Sequence, residues 1–124
     1  MNAVKKIAVI EDDRFLRKVY ETKLPRQGYA VVSAEDGEAG LALIKQELPD
    51  VVLLDLIMPK MTGFEVLAAL KSDKKTAKIP VVVLSNLGQE EDIARAKELG
   101  ASEFLVKSNL TIKDVMDLIE QILK

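Results

Sequence analysis

Four short runs of aliphatic and β-branched residues constrain this chain most: Ile7–Ile10, Val51–Leu54, Val81–Leu84 and Phe104–Val106. Each is apolar without alternation, the pattern of strands covered on both faces. A fifth run, Tyr29–Val32, gives way to Ser33 and further polar residues, and suits a sheet edge. Between the runs the apolar spacing turns helical. Leu16, Val19, Tyr20 and Leu24 share one face, and Ile112, Val115, Met116, Ile119, Ile122 and Leu123 form a stripe near the C-terminus.

The helix boundaries are marked as well. Thr62-Gly-Phe-Glu65 and Thr111-Ile-Lys-Asp114 have the form of N-terminal capping boxes. Gly28 and Gly100 stand where helix C-caps are expected, and a helix from Asp36-Gly37 to about Glu47 should stop before Pro49. The order is β-α five times over. With right-handed crossovers and helices on both faces, this predicts an α/β fold, a three-layer doubly wound (βα)5 parallel sandwich. The lysine-rich stretch Lys71–Lys78 reads as a solvated loop.

Composition narrows the chemistry. At 124 residues the chain suits one domain, 1–124, large enough to bury a core without covalent staples. It has no cysteine, which excludes disulfides, thiolate metal sites and thiol nucleophiles, and no histidine, which excludes an imidazole base or a Ser-His-Asp triad. With 18 basic and 20 acidic residues the net charge is −2, a poor match to nucleic acid. No apolar run approaches the length of a membrane span, so the chain reads as soluble and cytoplasmic, with no membrane partner.

In open parallel sheets, ligands bind beyond the carboxyl ends of the strands. There the sequence places Glu11, Asp12 and Asp13 after the first run, Asp55 after the third, Ser85 after the fourth and Lys107 after the fifth. Any one of these is explained as a turn residue. All together, they predict a site. Carboxylates converging in one crevice repel each other, and a hard divalent cation relieves this; all-oxygen ligation suits Mg2+. Lys107 adds a cation and Ser85 a hydroxyl donor, which is equipment for phosphoryl transfer, with Asp55 as the carboxylate nucleophile.

The set Val9-Ile-Glu-Asp-Asp13, the segment from Asp50 to Gly63, Val82-Val-Leu-Ser85 and the segment from Gly100 to Lys107 resembles the receiver domain of two-component response regulators, the CheY-like family. The resemblance covers essentially the whole chain. It implies the flavodoxin-like strand order 2-1-3-4-5. Asp55 then matches the phosphoacceptor, and Glu11 and Asp12 match the acidic pair that holds Mg2+, with Asp12 as direct ligand. The backbone carbonyl of Ile57 matches the third protein ligand, and Asp13 falls to a helix-starting role. Ser85 matches the hydroxyl residue that swings toward the phosphoryl group, Lys107 its ion-pairing lysine, and Phe104 the aromatic switch residue. Pro59 and Gly63 match turn and helix-start positions. The implied partners are a sensor histidine kinase or histidine phosphotransfer protein and an output domain or effector protein. The chain would catalyse its own phosphorylation and dephosphorylation.

Three departures from the family pattern stand out. Ser108 replaces the proline that usually follows the lysine, where the peptide bond is commonly cis. Asn86 replaces a usually small residue, which would crowd access to the phosphoryl group. Ile57 and Leu87, each two places beyond an anchor, are apolar where the family often has polar residues. Two alternatives compete with this reading: a pseudo-receiver that only binds partners, and a haloacid-dehalogenase-type phosphatase. The first would lose acids or the lysine that this chain keeps; the second needs an acid where Ile57 stands. Whether the chain is a stand-alone receiver or part of a longer protein is left open by the sequence.

Overall fold

A computed structural model of the chain describes residues 3–124; Met1 and Asn2, the first two residues of the expected domain, lie outside the described residues. The elements are β1 (Lys6–Ile10), α1 (Arg14–Arg26), β2 (Ala30–Ala34), α2 (Gly37–Glu47), β3 (Val51–Leu54), α3 (Gly63–Lys71), β4 (Val81–Ser85), α4 (Glu90–Glu98), β5 (Glu103–Val106) and α5 (Ile112–Ile122). All strand pairings are parallel and the order is β2-β1-β3-β4-β5, the expected doubly wound arrangement.

The unbroken apolar runs follow from two-sided coverage. In β1, Ile7 and Val9 join Tyr20 and Leu24 of α1 and Val115 and Ile119 of α5 on one face. Ala8 and Ile10 join Ile44 of α2, Val66, Leu67 and Leu70 of α3, and Ala96 of α4 on the other. Successive side chains of a strand leave on opposite faces, so both must be apolar when both are covered. Among the described residues no helix is long and apolar enough to cross a membrane.

Local signals shaped the helix ends as expected. The Thr62 Oγ1 accepts from the Glu65 N–H at 3.2 Å while Glu65 accepts from the Thr62 N–H at 3.0 Å, and Thr111 with Asp114 repeats the box. Gly28 and Gly100 adopt φ of 93° and 105°, the left-handed conformation that closes a helix. At Gly63 the reason for glycine is close approach: a Cβ there would lie 2.2 Å from the Asp55 carbonyl oxygen. Glycine lets the start of α3 press against the end of β3.

Three expectations need correction. The second strand runs Ala30–Ala34 and not Tyr29–Val32, because the pairs Val9↔Ser33 and Ile10↔Ala34 continue the ladder past the apolar residues. The fifth strand is the other edge of the sheet and is only half covered, starting on the exposed Glu103. The Lys71–Lys78 stretch is not simply a solvated loop. Lys71 closes α3 and its ammonium donates to the carbonyls of Ala77 (3.0 Å) and Ile79 (2.9 Å), while Thr76 is fully buried and donates to the Leu70 carbonyl at 2.7 Å.

Candidate functional site

Strands β1, β3, β4 and β5 end at one rim. There a cleft of about 300 Å3 is lined by Glu11, Asp12, Asp13, Asp55, Ile57, Ser85, Asn86, Leu87 and Lys107. The loop ends are fixed by backbone bonds that extend the ladder: the Glu11 N–H donates to the Ala34 carbonyl, and the Asp55 N–H to the Ile10 carbonyl. The structure thus brings together every strand-end residue singled out above. Asp13 has a different task, accepting from the Leu16 N–H at 3.1 Å as the N-cap of α1.

Oxygens of Glu11, Asp12 and Asp55 lie within 4.8 Å of one another. Glu11 and Asp55 are buried, whereas Asp12 is exposed at the mouth. The Lys107 Nζ donates to Glu11 Oε1 at 2.6 Å and to Asp55 Oδ2 at 3.2 Å. Burial pushes the Glu11 carboxyl up to about 7 and the Asp55 charge adds to the rise, against the hydrogen bonds from Lys107 and the Asp13 N–H. Burial would lower the Lys107 ammonium, but its bond to Glu11 and the two carboxylate charges hold it above the usual lysine range.

Around this centre, Ser85 is fully buried and its Oγ accepts from the Leu87 N–H at 3.2 Å. The Ile57 N–H approaches Asp55 Oδ1 at 3.4 Å, and its side chain is 58% exposed. Phe104 sits half-buried on β5, packed against the cluster under α2, α3 and α4, and is not among the residues that line the cleft. Among the described residues every peptide bond is trans, Lys107–Ser108 included, and a 3₁₀ turn over Lys107–Asn109 leads toward α5.

The donor set is oxygen throughout, with two carboxyl groups buried close together. It fits a hard divalent cation such as Mg2+, which binds through one or two carboxylates and keeps several waters. The Lys107 ammonium beside Asp55 is suited to an anionic group delivered to that carboxylate. The sequence reading passes over Arg17, whose guanidinium reaches the Glu11 backbone carbonyl at 2.8 Å. No local pattern marks it, since a basic residue in the second turn of a helix is ordinary.

The family model described as the response regulator receiver domain matches residues 7–120. The DNA-binding dual master transcriptional regulator RpaA of Synechocystis sp. is 40% identical over 102 residues, covering 82% of this chain and 42% of RpaA. The chain spans less than half the length of the curated relatives it matches first. Chemotaxis protein CheY4 of Vibrio cholerae superposes with a TM-score of 0.89 at 28% identity, covering 97% of this chain and 99% of that one. The phosphorylated cyanobacterial phytochrome response regulator RcpA does so with a TM-score of 0.82 at 34% identity, covering 97% and 91%.

Proposed function

Because the chain belongs to the response regulator receiver domain family, we propose that it takes up a phosphoryl group on Asp55 in a two-component phosphorelay. The observation that carries this reading is the cleft itself: three carboxylates converge at the strand ends, and one ammonium bridges the two buried ones. A receiver reduced to a binding module has no support here, because the acids and the lysine are all present. The family match also removes the phosphatase alternative.

In the proposed step an Asp55 oxygen attacks the phosphorus of a phosphoimidazole, the P–O bond forms, the P–N bond breaks, and the imidazole leaves. The donor imidazole is external, since the chain has no histidine. Glu11, Asp12, Asp55 and the Ile57 carbonyl would hold Mg2+, which when bound supplies positive charge against the phosphoryl oxygens. Lys107 offers a second cation. The Ser85 O–H remains free to donate while its Oγ accepts from Leu87. In hydrolysis, water attacks the phosphorus, the bond to Asp55 breaks and phosphate leaves.

The signal passes to a partner as a population shift: Ser85 moves toward the phosphoryl group, Phe104 rotates inward, and the surface of α4, β5 and α5 changes its affinity. The phosphodonor is a sensor histidine kinase or a phosphotransfer protein, and the target an output domain or effector. RpaA is a DNA-binding regulator; for the 124 residues here, a single receiver domain placed in the cytoplasm, we propose no direct contact with nucleic acid. Incubation with Mg2+ and acetyl phosphate should add one acid-stable, alkali-labile phosphoryl group, lost in Asp55→Asn. Equal labelling of that variant would overturn the assignment.

A further inference from the structure

The Arg17 side chain is only 15% exposed. Its Nη1 donates to the Glu11 carbonyl at 2.8 Å, and its Nη2 stands 3.8 Å from Glu35 Oε2 in the β2–α2 loop. The Glu11 N–H is taken up on the other side by Ala34 at 3.1 Å. The carbonyl of Glu11 and the N–H of Asp12 form one planar unit, so fixing the carbonyl fixes the direction in which the chain delivers Asp12. The Glu11 carboxylate is held by Lys107 and the Asp13 N–H. That of Asp12 is exposed, and its placement depends on the backbone.

We propose that Arg17 is a positioning residue for the cation site: by clamping the Glu11–Asp12 peptide it aims the Asp12 carboxylate at the cation. The inference rests on the reading of Asp12 as a Mg2+ ligand. It makes a prediction opposite in sign to simple charge. A guanidinium near a cation site repels the cation, so on Coulomb grounds its removal should tighten Mg2+ binding. If Arg17 orients a ligand, its removal should weaken binding, and outer partners of metal ligands are typically worth ~10–100-fold in affinity.

The test is a titration of Mg2+ into the whole chain, followed by the amide NMR signals of Asp12 and Asp55. Arg17→Met keeps the apolar stem and loses the donors; Arg17→Lys keeps the charge and a single donor nitrogen but not the planar fork. The expected Kd is roughly tenfold higher in Arg17→Met and raised severalfold in Arg17→Lys. Equal or tighter binding by Arg17→Met overturns the inference, whatever its effect on the unfolding midpoint measured with EDTA. Should Arg17→Met not fold, Arg17→Lys carries the test, and an unaltered Kd at unchanged charge is the overturning result. Absence of saturable Mg2+ binding in the unsubstituted protein would overturn the metal-site reading instead, which separates the two failures.

Discussion

The Lys107 ammonium lies 2.6 Å from Glu11 Oε1 and 3.2 Å from Asp55 Oδ2, so it pairs more tightly with the buried acid of β1 than with the proposed acceptor. One cation thus serves two buried carboxylates, and the cleft keeps an excess of negative charge at its centre.

Removing that cation should strand both acids. Lys107→Met is expected to lose about 2 kcal/mol of stability without metal, less than a fully buried pair because the cleft is open to water. Added Mg2+ should restore more stability to this variant than to the parent protein. Denaturant unfolding in EDTA and in Mg2+ measures both, and an unchanged midpoint in EDTA contradicts the pairing.

Asp12 behaves differently because it is exposed and adds charge without burial. Asp12→Ala should abolish Mg2+-dependent phosphorylation yet leave the metal-free fold as stable, or up to about 1 kcal/mol more stable as repulsion falls. Undiminished phosphorylation would remove Asp12 from the ligand set.

Lys60 has φ of 69°, and the Met61 N–H donates to the Pro59 carbonyl at 2.7 Å, forming a γ-turn with a non-glycine residue in the strained left-handed region. Lys60→Gly relieves about 1–2 kcal/mol of that strain and gives back part of it in unfolded-chain entropy. A net gain of roughly 0.5–1 kcal/mol in denaturant unfolding is expected. A loss would show that the 3.8 Å pair between Lys60 and Asp36 matters more than the turn.

Tyr20 is buried, and burial together with the Glu11 charge raises its hydroxyl to about 12. A folded value above the unfolded one, near 10, means the stability is fully present below about pH 10 and is lost as pH rises through 12. Tyr20→Phe should therefore resist alkaline unfolding by up to about 3 kcal/mol relative to the parent. Coincident unfolding curves from pH 9 to pH 12 would contradict the shift.

Ile57 and Leu87 both line the cleft, one exposed and the other half-buried. Neither side chain can orient a water by hydrogen bonding, and in the proposed phosphorylated state both would shield the approach to the phosphorus, against the plainer reading that they simply face solvent or a partner. The double variant Ile57→Asn/Leu87→Glu should shorten the phosphoryl lifetime about tenfold, or ~1.4 kcal/mol of barrier. Decay of labelled protein measures this, and equal or slower decay would defeat the shielding idea.

Much of the fold was legible because its causes are local. The unbroken runs at Ile7, Val51 and Val81 marked buried strands, and the Thr62 and Thr111 boxes marked helix starts within four residues. The strand-end residues were legible too, since topology sends the carboxyl ends of parallel strands to one rim. Edge strands were less so. The pairing of Ser33 and Ala34 in β2 is imposed by β1 and not by their own side chains, and β5 reads as buried although the sheet ends there.

What the sequence determined by itself is the order of elements, their caps and which residue types stand at the strand ends. Which partner each takes follows from packing across the fold: Lys107 on Glu11 across 96 positions, Arg17 on the Glu11 carbonyl, and Lys71 on the carbonyls of Ala77 and Ile79. Propensity, capping and periodicity act over a few residues of chain. The reach of a long charged side chain is set instead by where packed strands and helices place its backbone, and by which buried oxygens there lack a donor.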